Sequence, residues 1–211
     1  MKKILPIALA FSLAACQNNP KPAVDSETTS TVEVSQVLSD AERRLQKYVK
    51  VKLTTDVSML SENQRKMIPS LIKVAKIMDG LFWKQAYGDK EEFLKSISNE
   101  NSRQFANINY GPWDRLDANE PFVDGVGEKP LGANYYPADM TKEEFESSDL
   151  EGKNSLYTLI RRDSTGQLIS IPFHVAFKTE LAEAAELLFG ASYYADNEQL
   201  KNHLMFRAEA L

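Results

Sequence analysis

From Tyr110 to Met140 the sequence loses all periodicity, and no helix or strand of ordinary length fits there. Gly111, Pro112, Pro121, Gly125, Gly127, Pro130, Gly132 and Pro137 punctuate the stretch. Each supplies a turn conformation or removes a backbone donor, so regular hydrogen bonding cannot propagate. A loop this long inside a compact domain is functional or tightly packed when it is ordered. Tyr110, Trp113, Phe122, Tyr135 and Tyr136 give it an aromatic content foreign to disordered segments, which predicts a loop pinned to a core.

The flanks are regular. Ser39-Asp40-Ala41-Glu42 has capping-box spacing and opens a helix predicted to run to about Val49. Ser61-Glu62-Asn63-Gln64 opens a longer one, in which Met67, Leu71, Val74, Met78 and Leu81 recur at helical steps and Pro69 predicts a kink or restart. Gly88 closes it, another helix starts at Asp89, and a further one covers Asn101 to Asn109. After the loop, Thr141-Lys142-Glu143-Glu144 has the spacing of a third capping box. Residues 157–161 and 167–171 read as two strands joined by Asp163-Ser164-Thr165-Gly166, a hairpin signal. Phe173, Phe177, Leu181, Ala184 and Leu188 mark one helix face, ended by Gly190. Leu200, Leu204, Ala208 and Leu211 form the stripe of a last helix, with no capping residue after it. The fold class is α+β, mostly helical, with a small β-hairpin or partial β-core.

The N-terminus has a different character. Lys2 and Lys3 precede an apolar run from Ile4 to Leu13, too short to span a bilayer and typical of a secretory signal over residues 1–15. Leu13-Ala14-Ala15-Cys16 resembles the lipobox of bacterial lipoproteins, which makes Cys16 a lipidation site. The lipid bilayer is then a partner through the acylated Cys16. The chain is expected in the bacterial cell envelope, lipid-anchored, and Gln17 after the cysteine points to the outer membrane. Residues 16–36 are polar and read as a flexible tether, and the folded domain covers 37–211. The formal net charge of −5 becomes more negative once Lys2 and Lys3 leave. An acidic surface of this kind argues against nucleic acid as a partner. With Cys16 the lone cysteine, no thiol remains for a disulfide or a nucleophile.

Catalytic chemistry is hard to find in these residues. A catalytic zinc site takes three protein ligands, typically with two imidazoles a helical turn apart. His174 and His203 are the two histidines, and neither has a neighbour at ligand spacing. Neither a serine elbow nor a phosphate-binding glycine loop is present. Glu91-Glu92 and Glu143-Glu144 sit in first helical turns and complement the helix dipole. Arg161 and Arg162 leave a strand on opposite faces and read as solvated, although one could pair with an acid in the aromatic loop. From the residues alone, no catalytic or metal-ligating set is assigned.

Three runs carry a resemblance: Asn109 to Leu116 (NYGPWDRL), Gly132 to Phe145 (GANYYPADMTKEEF) and Ser155 to Arg162 (SLYTLIRR). Together with Leu53 to Asp56 and Phe82 to Asp89 they resemble the N-terminal part of a bacterial dipeptidyl peptidase III-like zinc metallopeptidase. That family has two lobes around a cleft, one mixed lobe with a β-core that supports peptide binding and one helical lobe bearing zinc. The resemblance implies a hydrolase that releases dipeptides in its full-length form, with zinc held by HExxGH and EExxA motifs. Neither motif occurs here, so no zinc ligand or catalytic residue is carried over, and the chain is expected to be a truncated or split member, inactive alone. Its implied partners are peptides and the C-terminal half of the peptidase. Tyr110, Trp113, Asp114, Arg115, Asn134, Tyr135 and Tyr136 are candidates for a substrate-cleft or lobe-packing loop. An apolar patch is expected near the hairpin and the last helix, with Leu200, Leu204 and Leu211 incompletely buried. The alternative is a non-catalytic envelope lipoprotein acting as a peptide-binding or structural module.

Lipidation makes a direct prediction. Mass spectrometry of the membrane fraction should show an acylated N-terminus at Cys16, and Cys16→Ala should release the protein or leave its signal uncleaved. A soluble form with an unmodified cysteine contradicts it.

Overall fold

A computed structural model describes residues 39–211, which form one compact unit. The signal segment, the tether and Cys16 lie outside the described residues. Helix α1 (Asp40–Leu45) begins with the complete capping box of Ser39 and Glu42, but stops short of the expected Val49. Helix α2 (Glu62–Ala86) opens on the box of Ser61 and Gln64 and runs through Pro69 as a single element. The expected restart does not occur. Pro69 is exposed, so the carbonyl it leaves without a partner faces water. Asp89 and Asn99 cap α3 (Lys90–Ser96) and α4 (Glu100–Asn109).

The aromatic loop holds two minimal elements. Strands β1 (Trp113–Asp114) and β2 (Glu120–Pro121) pair antiparallel, with Trp113 opposite Pro121, and a 3₁₀ turn covers Ala133–Tyr135. Helix α5 (Lys142–Ser147) is capped by Thr141, whose hydroxyl accepts from the Glu144 N–H at 3.1 Å. The expected box is only half formed, because the Glu144 carboxylate is drawn to Arg162 instead. Strands β3 (Thr158–Arg162) and β4 (Leu168–Pro172) form the expected hairpin, with Ile160 opposite Ser170. Its turn is held by the Asp163 carboxylate, which accepts from the N–H groups of Thr165 and Gln167.

The segment expected as one helix from Phe173 is two. Backbone angles leave the helical region at Phe177, separating α6 (Phe173–Ala176) from α7 (Lys178–Ser192). Helix α7 also continues past Gly190, where a stop was expected. Ala191 and Ser192 are buried, and keeping that turn helical packs Ala191 against α8 (Glu198–Glu209) and α2.

Three apolar clusters make the core, and α2 contributes to each. Met67, Leu71 and Val74 meet Leu188, Ala191, Leu200, Leu204 and Ala208 of α7 and α8. Met78 and Leu81 meet Leu159, Phe177 and Tyr135. Trp83 and Tyr87 meet Phe93, Ile97, Ala106 and Phe122. Leu204 is therefore buried, against expectation, and Leu200 packs against the first cluster, while Leu211 remains partly exposed. An open apolar groove of about 610 Å³ does lie between the hairpin and the end of α8, lined by Phe82, Tyr157, Phe173, His174, Leu181 and Leu211. No helix of the described residues is long and apolar enough to cross a membrane.

Gly190 supplies a clean test. A Cβ built there meets nothing within 4 Å, and glycine inside a helix costs conformational entropy. Gly190→Ala should raise the unfolding free energy by about 0.5–1 kcal/mol, read from the denaturant midpoint.

Candidate functional site: the aromatic loop and its cavity

The loop is anchored at three places, the second and third by groups far away in sequence. At its start, Asn109 is buried, donating to the Phe105 carbonyl and accepting from the Arg115 N–H at 3.0 Å. Tyr110 ends α4 in the left-handed region, and the guanidinium of Arg115 lies over its ring at 5.1 Å. Next, the Asp114 carboxylate, with a side-chain exposure of 0 %, accepts from Arg44 at 3.1 Å and Lys47 at 3.2 Å. It also caps the turn that follows through the Leu116 N–H. Burial alone would raise the Asp114 pKa. The Leu116 N–H and the Lys47 and Arg44 cations outweigh that cost and hold it below the usual carboxylate range.

The third anchor sits where the loop passes the hairpin. Arg161 donates to the carbonyls of Asn134 at 2.9 Å, Tyr135 at 3.2 Å and Ile160 at 2.7 Å. Burial lowers its pKa without making it neutral at any ordinary pH. Arg162 leaves the other face of β3, takes both Glu144 oxygens at 2.8 Å and reaches Asp139 at 2.8 Å. Its pKa is raised, chiefly by the Glu144 bonds, and that of Glu144 is lowered in turn. The solvated reading of the two arginines is thus corrected, since both are committed to the loop and the helix that follows it. Asn134 also donates to the Lys84 carbonyl at 2.6 Å, satisfying one of the acceptors that the C-terminal turn of α2 leaves open.

Beside the third anchor lies an open cavity of about 410 Å³, lined by Trp113, Asn134, Tyr136, Asp139, Arg161 and Arg162 among others. Of the candidate residues, Trp113, Asn134 and Tyr136 therefore face one space. Trp113 fixes its indole by donating to the Gly127 carbonyl at 3.0 Å, and Tyr136 stacks edge-on against Phe145. The approach is tight at Gly132, whose φ is +76°, and a Cβ there would lie 2.3 Å from the Tyr136 ring. Tyr135 turns away, packing against Phe173 and lining a second open depression. Tyr110 joins the cluster around Trp83, and Asp114 is spent on its cations. Arg115 stays exposed above the rings of Phe82 and Tyr110.

The residues around the cavity suit a polar chain with an apolar side group, since an aromatic wall faces two guanidinium groups and an acid. Zinc does not fit them. Among the described residues no three of His, Cys, Asp or Glu come together, and His174 and His203 are exposed on different helices. Sequence reasoning did not name Arg44, Lys47 or Asp139 as determinants of the loop. Their partners lie on other elements, and no short-range spacing signals them.

No protein-family model matches the chain. In structure and sequence it is similar to dipeptidyl peptidase III from Caldithrix abyssi, at 38% identity and a TM-score of 0.72 over 80% of this chain and 34% of that one. It is also similar to dipeptidyl-peptidase III from Corallococcus sp. strain EGB, at 32% identity and a TM-score of 0.72 over 81% of this chain and 34% of that one. A curated relative, Nudix hydrolase 3 of Arabidopsis thaliana, is 26% identical over 231 residues, covering 80% of this chain and 30% of that protein. The chain spans about a third of the length of each relative it matches. The described domain is dipeptidyl peptidase III-like, an α+β fold equivalent to one part of those bacterial peptidases.

The buried Asp114 yields a pH prediction. Its folded pKa is depressed, so its contribution is complete above the unfolded value of about 3.9 and is lost as pH falls through the lower folded value. Asp114→Asn should cost about 1–3 kcal/mol at pH 7, because the charged acceptor of Arg44 and Lys47 is lost while Arg44 keeps Asp40 and Asp117. Denaturant titrations should show that difference shrinking below pH about 3.9.

Proposed function

We propose that this chain supplies a peptide-binding wall of a dipeptidyl peptidase III-like exopeptidase, with the zinc chemistry carried by residues other than these. The observation that carries the reading is the match to two bacterial dipeptidyl peptidases III at 38% and 32% identity, both with a TM-score of 0.72. The Arabidopsis relative is more distant at 26% identity and adds no activity to the reading.

The chemistry agrees with a wall rather than a centre. Peptide hydrolysis by zinc needs a metal with an open position and a carboxylate that activates water. The 211-residue sequence has two histidines and no HExxGH motif to supply them. What the chain does offer is a cavity with two aromatic faces, Trp113 and Tyr136, beside main-chain groups already held in place by Arg161. Such a surface binds an extended peptide by stacking its side chains and bonding its backbone. The apolar groove between the hairpin and α8 gives a second surface, suited to packing against the part of the peptidase that bears the metal. In this reading the lipid on Cys16 holds the protein at the envelope, where it meets peptides rather than folded cytosolic proteins.

The alternative, a non-catalytic lipoprotein that binds peptides, is favoured by one feature: the cavity is assembled wholly within the described domain. Both readings share the binding step and differ over catalysis in a longer protein.

Residues 16–211 with Cys16→Ser should release no dipeptide from a dipeptidyl arylamide substrate, and equilibrium dialysis should find no stoichiometric zinc. Tight zinc at one equivalent with turnover overturns the reading. Trp113→Ala should weaken binding of a short peptide at least about fivefold by removing one aromatic wall, measured by calorimetry.

A further inference from the structure

Between α1 and α2 the chain carries a pattern that its own fold does not use. Residues 48–57 belong to no helix, strand or turn. No backbone N–H from Val49 to Val57 donates to another backbone group among the described residues, and no carbonyl from Tyr48 to Asp56 accepts. Yet the side chains alternate as in a half-buried strand. Val49, Val51, Leu53, Val57 and Met59 are 83%, 70%, 91%, 47% and 88% exposed, and they occupy every second position except Thr55. Tyr48, Lys50, Lys52, Thr54 and Asp56 occupy the other face. Period-two alternation places each set on one side of an extended chain. An unpaired segment with one apolar face is a template for another strand, and proteins normally cover it or blunt it.

We propose that residues 49–57 pair antiparallel with the same segment of a second copy of this chain, across a two-fold axis at Leu53. In this register Val49 lies opposite Val57, Val51 opposite Thr55 and Leu53 opposite itself, so one face is apolar throughout apart from threonine. On the other face Lys50 lies opposite Asp56, and Lys52 opposite Thr54. A two-fold axis makes each of these contacts twice, so two lysine–aspartate pairs close the ribbon. Competing registers are poorer. Moving the axis to Lys52 sets that lysine against its own copy. Moving it to Thr54 sets Lys52 against Asp56 but leaves only residues 51–57 to pair, because Ser58 and Met59 already form a turn closed by the Leu60 N–H on the Val57 carbonyl. A slip that shifts one strand by a single residue sets the apolar face of one copy against the charged face of the other. Neither Lys50 nor Asp56 has an ion-pair partner among the described residues of its own chain. The Asp56 carboxylate accepts locally from Ser58, whose N–H it meets at 2.8 Å, and so caps the turn there. The inference is independent of the peptidase reading, since it uses no residue of the cavity.

The test is sedimentation equilibrium of residues 16–211 carrying Cys16→Ser, from about one to several hundred micromolar, with hydrogen exchange on the same samples. A two-stranded ribbon alone is marginal in water, so a weak, concentration-dependent dimer is expected. Amides 49–57 should gain protection as the dimer forms. Lys50→Asp and Asp56→Lys should each weaken dimerisation by about tenfold, as two attractive pairs become repulsive, and the double variant should recover it. Either Val51→Pro or Lys52→Pro removes a ladder donor whichever set of pairs is hydrogen-bonded, and the double proline variant should abolish dimerisation. These residues lie outside the core, so circular dichroism should confirm unchanged folding in every variant. A chain that stays monomeric over the whole range overturns the proposal. So does a dimer indifferent to these changes, which would assign association to another surface such as the groove beside α8. Loss in both single charge variants without recovery in their double overturns the register and its lysine–aspartate pairing.

Discussion

Everything in this domain leans on one helix. At about 1.5 Å per residue, α2 is roughly 37 Å long, and its sides form a wall of all three apolar clusters. Neither the α7–α8 pair, the β3–β4 hairpin nor the aromatic loop buries enough surface by itself. Each closes its core by docking on α2. The arrangement also explains why Pro69 and Gly80 are tolerated inside that helix. Packing on several sides supplies helical stability that local propensity lacks.

Much of this was legible in the sequence because its causes are local. The caps at Ser39 and Ser61 follow from a side-chain oxygen three residues ahead of a glutamate or glutamine, and the Asp163 to Gly166 turn follows from one carboxylate accepting nearby N–H groups. The Met67 to Leu81 stripe names the face of α2 that meets the first and third clusters. Misjudged elements are those where distant partners compete with a local rule. Glu144 abandons its capping box for Arg162, and α7 ignores Gly190 because Ala191 and Ser192 find burial beyond it. At Pro69 the local rule overstates the penalty, since water takes the place of the missing bond.

The candidate site divides in the same way. Aromatic content showed that the loop is packed, and Trp113 and Tyr136 do line its cavity. What the sequence concealed is how the loop is held. Arg44 and Lys47 lie some seventy residues from Asp114, and Arg161 lies 27 residues from Asn134, so no window of the sequence contains both partners. Tyr110 and Asp114 share the same run of residues with Trp113 but serve the structure beneath the cavity rather than its surface.

Arg161 grips the loop through main-chain oxygens of Asn134 and Tyr135, and so it reads the path of the chain rather than the identity of its residues. A side chain that recognises carbonyls places few demands on what is attached to the neighbouring α-carbons. Cavity positions whose side chains carry none of these bonds, such as Tyr136, can then be exchanged while the scaffold keeps its shape. Holding and recognising are thereby assigned to different atoms of the same residues, which leaves the wall of the cavity open to selection for new ligands without redesign of its support.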